Sequence, residues 1–194
     1  NFNAALWTAV AAGDEAQAFA ASSEMIRLHV DQGHFAPAES SVRYAQAVLQ
    51  HLGGDERLTA QLSLNLAILH QERGQYAQAE QAYQRAYDIL TRTRPPGDPD
   101  IDKALHGLGA VAGARGDSKR YLEVNRRLLG RVEASLGSSH PYVATVEQSI
   151  GNALWQRRPG VNKQLVAGLD EVAGHGCAHG AKADKAEFLG SGWH

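Results

Sequence analysis

Leucines at positions 58, 62, 66 and 69 step by four, four and three residues, which keeps them on one face of an α-helix. Gly74 then interrupts the pattern, and Ala79, Tyr83, Ala86 and Leu90 resume the helical period on a second element. Glycine suits that break because it adopts a positive φ without a Cβ clash. Applied along the chain, the pattern predicts helices at 3–12, 15–32, 36–52, 56–73, 76–93, 100–115, 117–136, 141–157 and 162–173. No stretch alternates β-branched with polar residues, so no sheet is expected.

The hydrophobic pattern also repeats on a longer scale. Leu28–Ala45 matches Leu69–Ala86 at a shift of 41, placing Gly33 on Gly74, Phe35 on Tyr76, Ala38 on Ala79, Glu39 on Glu80 and Ala45 on Ala86. A further shift of 42 places Leu66 on Leu108, Ala67 on Gly109, Gly74 on Gly116 and Pro99 on Pro141. Another 42 takes Leu108 to Ile150 and Gly109 to Gly151. Self-similarity at a fixed period marks a repeat protein, in which each helix pair buries its apolar face against its neighbours. Small residues such as Ala67 and Ala79 let two helix backbones approach, and Tyr76 and Tyr83 are expected to fill the gaps beside them. Tyr121 and Leu122 stand where the second repeat has its alanine and glutamate, so the third pair is expected to pack less closely.

The string Leu66, Ala67, Gly74, Tyr76, Ala79, Glu80, Tyr83, Ala86 resembles the tetratricopeptide repeat. The period of about 42, and the Asp98-Pro99 and His140-Pro141 pairs before successive repeats, resemble the kinesin-light-chain type. Leu6–Gly54 is similar to the segment between the kinase domain and the repeat array of bacterial serine/threonine kinases, although no kinase motif is present. The resemblance implies an all-α fold, a right-handed superhelical array of antiparallel helix pairs. The expected organisation is an N-terminal helix at 1–13, about 3.5 repeats at 14–157, and a partial capping helix with a Gly-rich tail at 158–194.

Composition narrows the function classes. The 194 residues carry a formal net charge of −2, which gives no global field for nucleic acid or an acidic membrane. A single Cys, Cys177, excludes an internal disulfide. No apolar run is long enough to span a membrane, the opening run lacks the basic leader of a signal peptide, and a cytoplasmic location is the expectation. Asn rather than Met at position 1 points to a fragment or processed form, which the kinase likeness places in a larger signalling protein.

Motifs with chemical content are few. Gly107–Ala112, GLGAVA, matches a dinucleotide fingerprint, but that motif needs a strand before it and a helix opening at the glycines. Here the preceding residues are helical by period, and close packing explains the glycines. His175, Cys177 and His179 alternate in a Gly-rich stretch and are weak candidates for a metal site, with no second ligand pair nearby. A Cys–His nucleophile at the same place would need a held geometry and an oxyanion site. Arg120, Arg126, Arg127 and Arg131 could meet phosphate, but Glu123 and Glu133 dilute them into a solvated helix face. No cofactor and no catalytic residue is expected.

The expected function is therefore a scaffold for a protein or peptide partner. The resemblance implies that the inner face is formed by the first helix of each repeat. On this sequence it assigns Ser23, Glu24 and Arg27, then Gln61, Asn65, Ile68 and Glu72, then Lys103, His106, Gln148, Asn152 and Trp155. Asn65 stands where family members hold a ligand's backbone, and Gly107 and Ser149 replace it in the next two repeats. Arg27, Lys103 and His106 give that face a slightly positive sign, so a segment of some acidic character is the expected ligand. Two alternatives stand beside this reading. One is self-association, or regulation of an attached catalytic domain through the same helices; the other is an enzyme or metal site in the tail.

Overall fold

A computed structural model describes residues 2–156 in eight α-helices. These are α1 (Phe2–Ala12), α2 (Glu15–Asp31), α3 (Phe35–His51), α4 (Glu56–Glu72), α5 (Tyr76–Thr93), α6 (Pro99–Ala114), α7 (Ser118–Leu136) and α8 (Pro141–Gln156). Among the described residues there is no strand. The chain divides into two units, 1–153 and 154–194, and the helix array belongs to the first. The helix expected at 162–173, like His175, Cys177 and His179, lies outside the described residues.

Each helix pair is closed by the same turn. Gly33, Gly74 and Gly116 have φ of 71°, 71° and 72°, the left-handed conformation that only glycine adopts without strain. The residue after each glycine donates its backbone N–H five residues back: His34 to His29, Gln75 to His70 and Asp117 to Ala112, at 2.7, 2.8 and 2.9 Å. Each glycine N–H bonds three residues back, to Val30, Gln71 and Gly113. This double bond is the Schellman motif, which satisfies carbonyls left unpaired at a helix end. The starts of α2, α4 and α7 share one device. Asp14, Asp55 and Asp117 each accept a backbone N–H three residues on, from Gln17, Leu58 and Arg120, at 2.9 Å.

Within the first unit the stacking is that of a tetratricopeptide-type α-solenoid. α2 pairs with α3, α4 with α5, and α6 with α7, while α2, α4 and α6 also touch in succession. Ala60, Ala67, Ala79 and Ala86 have no exposed surface, so the α4–α5 crossing is closed with methyl groups. The apolar interior continues through Leu64, Tyr83, Ile101, Leu105, Leu128 and Val143 across successive pairs. The α6–α7 contact is less extensive than α4–α5 or α2–α3, and its seam is built differently. A Cβ on Gly109 would lie 3.0 Å from Asn125 Nδ2, and one on Gly113 would lie 3.2 Å from the Tyr121 ring. The room that α5 makes with Ala79 is made in the third pair by glycines of α6. Gly107–Ala112 thus sits in mid-helix, without the strand-to-helix geometry a pyrophosphate needs.

Salt bridges between neighbouring repeats follow the period as well. Arg73, which caps α4, pairs with Glu39 of α3, and Arg115, which caps α6, pairs with Glu80 of α5. Arg131 bonds Asp102 at 2.7 Å and the Pro96 carbonyl at 2.5 Å, tying α7 to α6 and to the loop before it. Arg120 and Arg127 both pair with Glu123, so these arginines are engaged within the fold.

Candidate partner-binding groove

The first helices leave one side uncovered by second helices, and there the first unit holds an open groove enclosing about 1320 Å³. Most of its lining comes from α2, α4 and α6, completed by Tyr83 and Leu90 of α5, Ser135 and Leu136 of α7 and Tyr142 of α8. Seven of the residues expected on the inner face line it: Glu24 and Arg27 from α2, Gln61, Asn65 and Ile68 from α4, and Lys103 and His106 from α6. Helical spacing explains the grouping, since residues three and four apart share a face. Glu72 is exposed but is not among the lining residues; neither are Gln148 and Asn152, both exposed on α8. Ser23 is buried, with 1% of its surface accessible, and Trp155, in the second unit, is 52% exposed.

Asn65 has a structural task that its position in the repeat does not reveal. It is only 6% exposed, and its Nδ2 donates to the Ser23 carbonyl at 3.4 Å. Glu24, Asn65 and Gly107 occupy the same position in three successive first helices, at shifts of 41 and 42, and Ser23 is the residue before that position in α2. The amide therefore bridges two repeats, and its Oδ1 and second Nδ2 proton are left free of this bond.

The third repeat solves the same position in another way. A Cβ on Gly107 would fall 2.2 Å from Tyr83 Cζ. The ring of Tyr83, from α5, thus occupies the space of the missing side chain and emerges at the groove floor. Its hydroxyl donates to Gln71 Oε1 at 3.1 Å, and Gln71 also lines the groove. Burial, and next the Glu72 carboxylate, push the Tyr83 phenol up to about 12. The phenol is therefore a neutral hydrogen-bonding group at physiological pH. The expected gap-filling by Tyr83 serves the following repeat as well as its own. Tyr142 at the far wall is also raised, by burial and then by Asp102.

Charge in the groove is balanced. Arg27, Arg57, Arg94 and Lys103 face Glu24, Asp31, Asp100 and Asp102 in the same lining. Lys103 bonds Asp100 at 2.7 Å, Arg94 lies 3.7 Å from Asp98, and Asp102 is held by Arg131. The positive sign expected from Arg27, Lys103 and His106 is thus offset by acidic residues from the same helices. The acidic ligand inferred from it loses its basis. Arg57, Gln71, Tyr83 and Tyr142 join the site without having been assigned to it from sequence. Arg57 could have been found one helical turn before Gln61, on the same face.

Among the described residues, no group of three or more His, Cys, Asp or Glu side chains could hold a metal ion. No helix among them is long and apolar enough to cross a membrane.

Comparison with known proteins agrees with this architecture. Residues 58–120, which span α4, α5, α6 and the start of α7, match the tetratricopeptide repeat family. No curated protein matches the chain. Among solved structures, the chain is similar to the crystal structure of BtubC (BKLC) from P. vanneervenii, with a TM-score of 0.66 at 18% identity over 93% of this chain and 73% of that one. At that identity the likeness concerns the fold.

Proposed function

We propose that this chain is an interaction scaffold that holds an extended segment of a partner protein in the groove formed by α2, α4 and α6. Tetratricopeptide repeats generally mediate protein–protein interactions, and the fold is a scaffold type rather than a catalytic one. The observation that carries the reading is the groove itself. It has the length of three repeats and is lined by the amides of Gln61, Asn65 and Gln71, the phenol of Tyr83 and the apolar surfaces of Leu64 and Ile68. Amides offer both donor and acceptor and so match the main chain of an extended ligand, while the balanced charges ask for no strong net charge in it. The likeness of Leu6–Gly54 to the pre-repeat segment of bacterial kinases supports placing this scaffold in a larger signalling protein, where the groove would take a regulatory segment.

The test is binding of a short peptide selected against the chain from a random display library. Gln61→Ala and Arg27→Ala alter exposed groove residues, whereas Gln78→Ala and Arg85→Ala alter exposed residues of α5. The groove pair should weaken binding by about 1 kcal/mol each, measured calorimetrically, and the α5 pair should leave it unchanged. The reverse result would move the site to the second helices.

A further inference from the structure

We propose that Tyr83 and Gln71 form a polar clamp for one peptide group of the bound segment, taking the place of the amide that the third repeat lacks at Gly107. The inference rests on the groove reading above and adds residues to it. Position 107 repeats position 65 one period later, and with glycine there α6 offers no side chain to a ligand at that position. The gap is filled from the second helix of the preceding repeat. The Tyr83 ring lies where a residue-107 side chain would begin, and its phenol reaches the groove lining beside Gln71.

The hydrogen-bond arrangement favours a peptide group over a charged one. The phenol spends its single proton on Gln71 Oε1. Its oxygen keeps lone pairs, and Gln71 Nε2 keeps donor protons. An acceptor and a donor therefore stand side by side, the complement of the N–H and C=O that an extended chain presents. Asn65 spends one of its two Nδ2 protons on the Ser23 carbonyl, which ties that amide to the preceding repeat, whereas Gln71 keeps both Nε2 protons toward the groove side of the pair. Ile68, between Asn65 and Gln71 on α4, and Ala110 on α6 give the clamp apolar sides that keep water from competing.

Tyr83→Phe keeps the ring that fills the Gly107 space and removes only the hydroxyl. It should fold as the parent does, with unchanged circular dichroism. It should bind the library-selected peptide roughly five- to tenfold more weakly. A scan of the peptide by backbone N-methylation gives the readout that a packing role would not move. One N-methyl position should weaken binding to the parent chain and have no further effect on Tyr83→Phe. Gln71→Met should likewise weaken binding while preserving side-chain length. If Gln61→Ala weakens binding but Tyr83→Phe binds like the parent, the clamp is wrong and the groove stands. If neither substitution matters, the groove reading and the clamp fall together.

Discussion

The second and third helix pairs share one turn and one period yet close their seams with opposite partners. In the α4–α5 pair the small residues are alanines, including Ala79 and Ala86 on the second helix. In the α6–α7 pair the second helix carries Tyr121 and Asn125, and the first helix makes room with Gly113 and Gly109. Two helices can approach closely whenever one of them is small at the crossing, and a repeat can exchange which one it is. The exchange has a consequence at the groove. A first helix made of glycines loses side chains on its inner face too, and Tyr83 from the neighbouring repeat takes the vacant place at Gly107.

The largest expected effect probes the alanine seam. Ala79→Leu adds three carbons at a position with no exposed surface, and overpacking of this kind costs about 1–3 kcal/mol. A denaturant melt should show it, whereas Tyr121→Leu at the equivalent place in α7 should cost less. Tolerance of Ala79→Leu would mean that the second pair is not closed by methyl groups.

Gly107→Ala sharpens the comparison through its sign. Alanine is the better helix former by roughly 0.5–1 kcal/mol, but its Cβ collides with the Tyr83 ring. The substitution should be destabilising in the parent chain and stabilising on a Tyr83→Ala background. The same sign in both backgrounds would contradict the cross-repeat contact.

The capping difference between the pairs is smaller. Asp117 caps α7 by accepting the Arg120 N–H, whereas Gln75 makes no side-chain cap for α5 and bonds His70 Nδ1 at 2.7 Å. Asp117→Ala should cost about 1 kcal/mol and Gln75→Ala distinctly less, by chemical denaturation.

Alkaline stability isolates Tyr83. Its phenol is raised from 10.0 to about 12 in the folded chain, so between these values the unfolded state has lost a proton that the native state still holds. Stability is therefore unaffected by this group below pH 10 and falls as pH rises above it. Tyr83→Phe should flatten that fall relative to the parent, and identical alkaline profiles would contradict the burial of the phenol.

The weakest effect belongs to the salt bridges between repeats. Arg73–Glu39 and Arg115–Glu80 are partly exposed, and such pairs contribute about 0–1 kcal/mol. Double-mutant cycles at the two pairs should give similar small couplings that shrink with salt.

The helices were legible in the sequence because the turn glycines and the leucine period are local signals. The prediction of 76–93 agrees with α5, and that of 141–157 agrees with α8 up to Gln156, where the described residues end. The groove was legible only where the face of a first helix decides the matter, as for Arg27, Gln61 and Lys103. Tyr83 escaped because its place in the groove floor depends on an absent side chain on a different helix, one repeat further on. Gly107 beneath Asn65 in the repeat alignment was the available signal. The tether on Asn65 was hidden because its acceptor is a backbone carbonyl, which leaves no mark on side-chain patterning. The charge balance needed Asp31 and Asp102 placed in space beside Arg27 and Lys103.

Chemical-shift mapping tests the groove most directly. The library-selected peptide is titrated into isotopically labelled full-length chain, and backbone amide shifts are followed. The perturbed amides should cluster at Arg27, Gln61, Ile68, Gln71, Lys103 and His106, the faces of α2, α4 and α6 that line one groove. Gln78 and Arg85 on α5 should stay in place. Shifts concentrated on α3, α5 and α7, with the groove residues unmoved, would contradict the groove as the binding site.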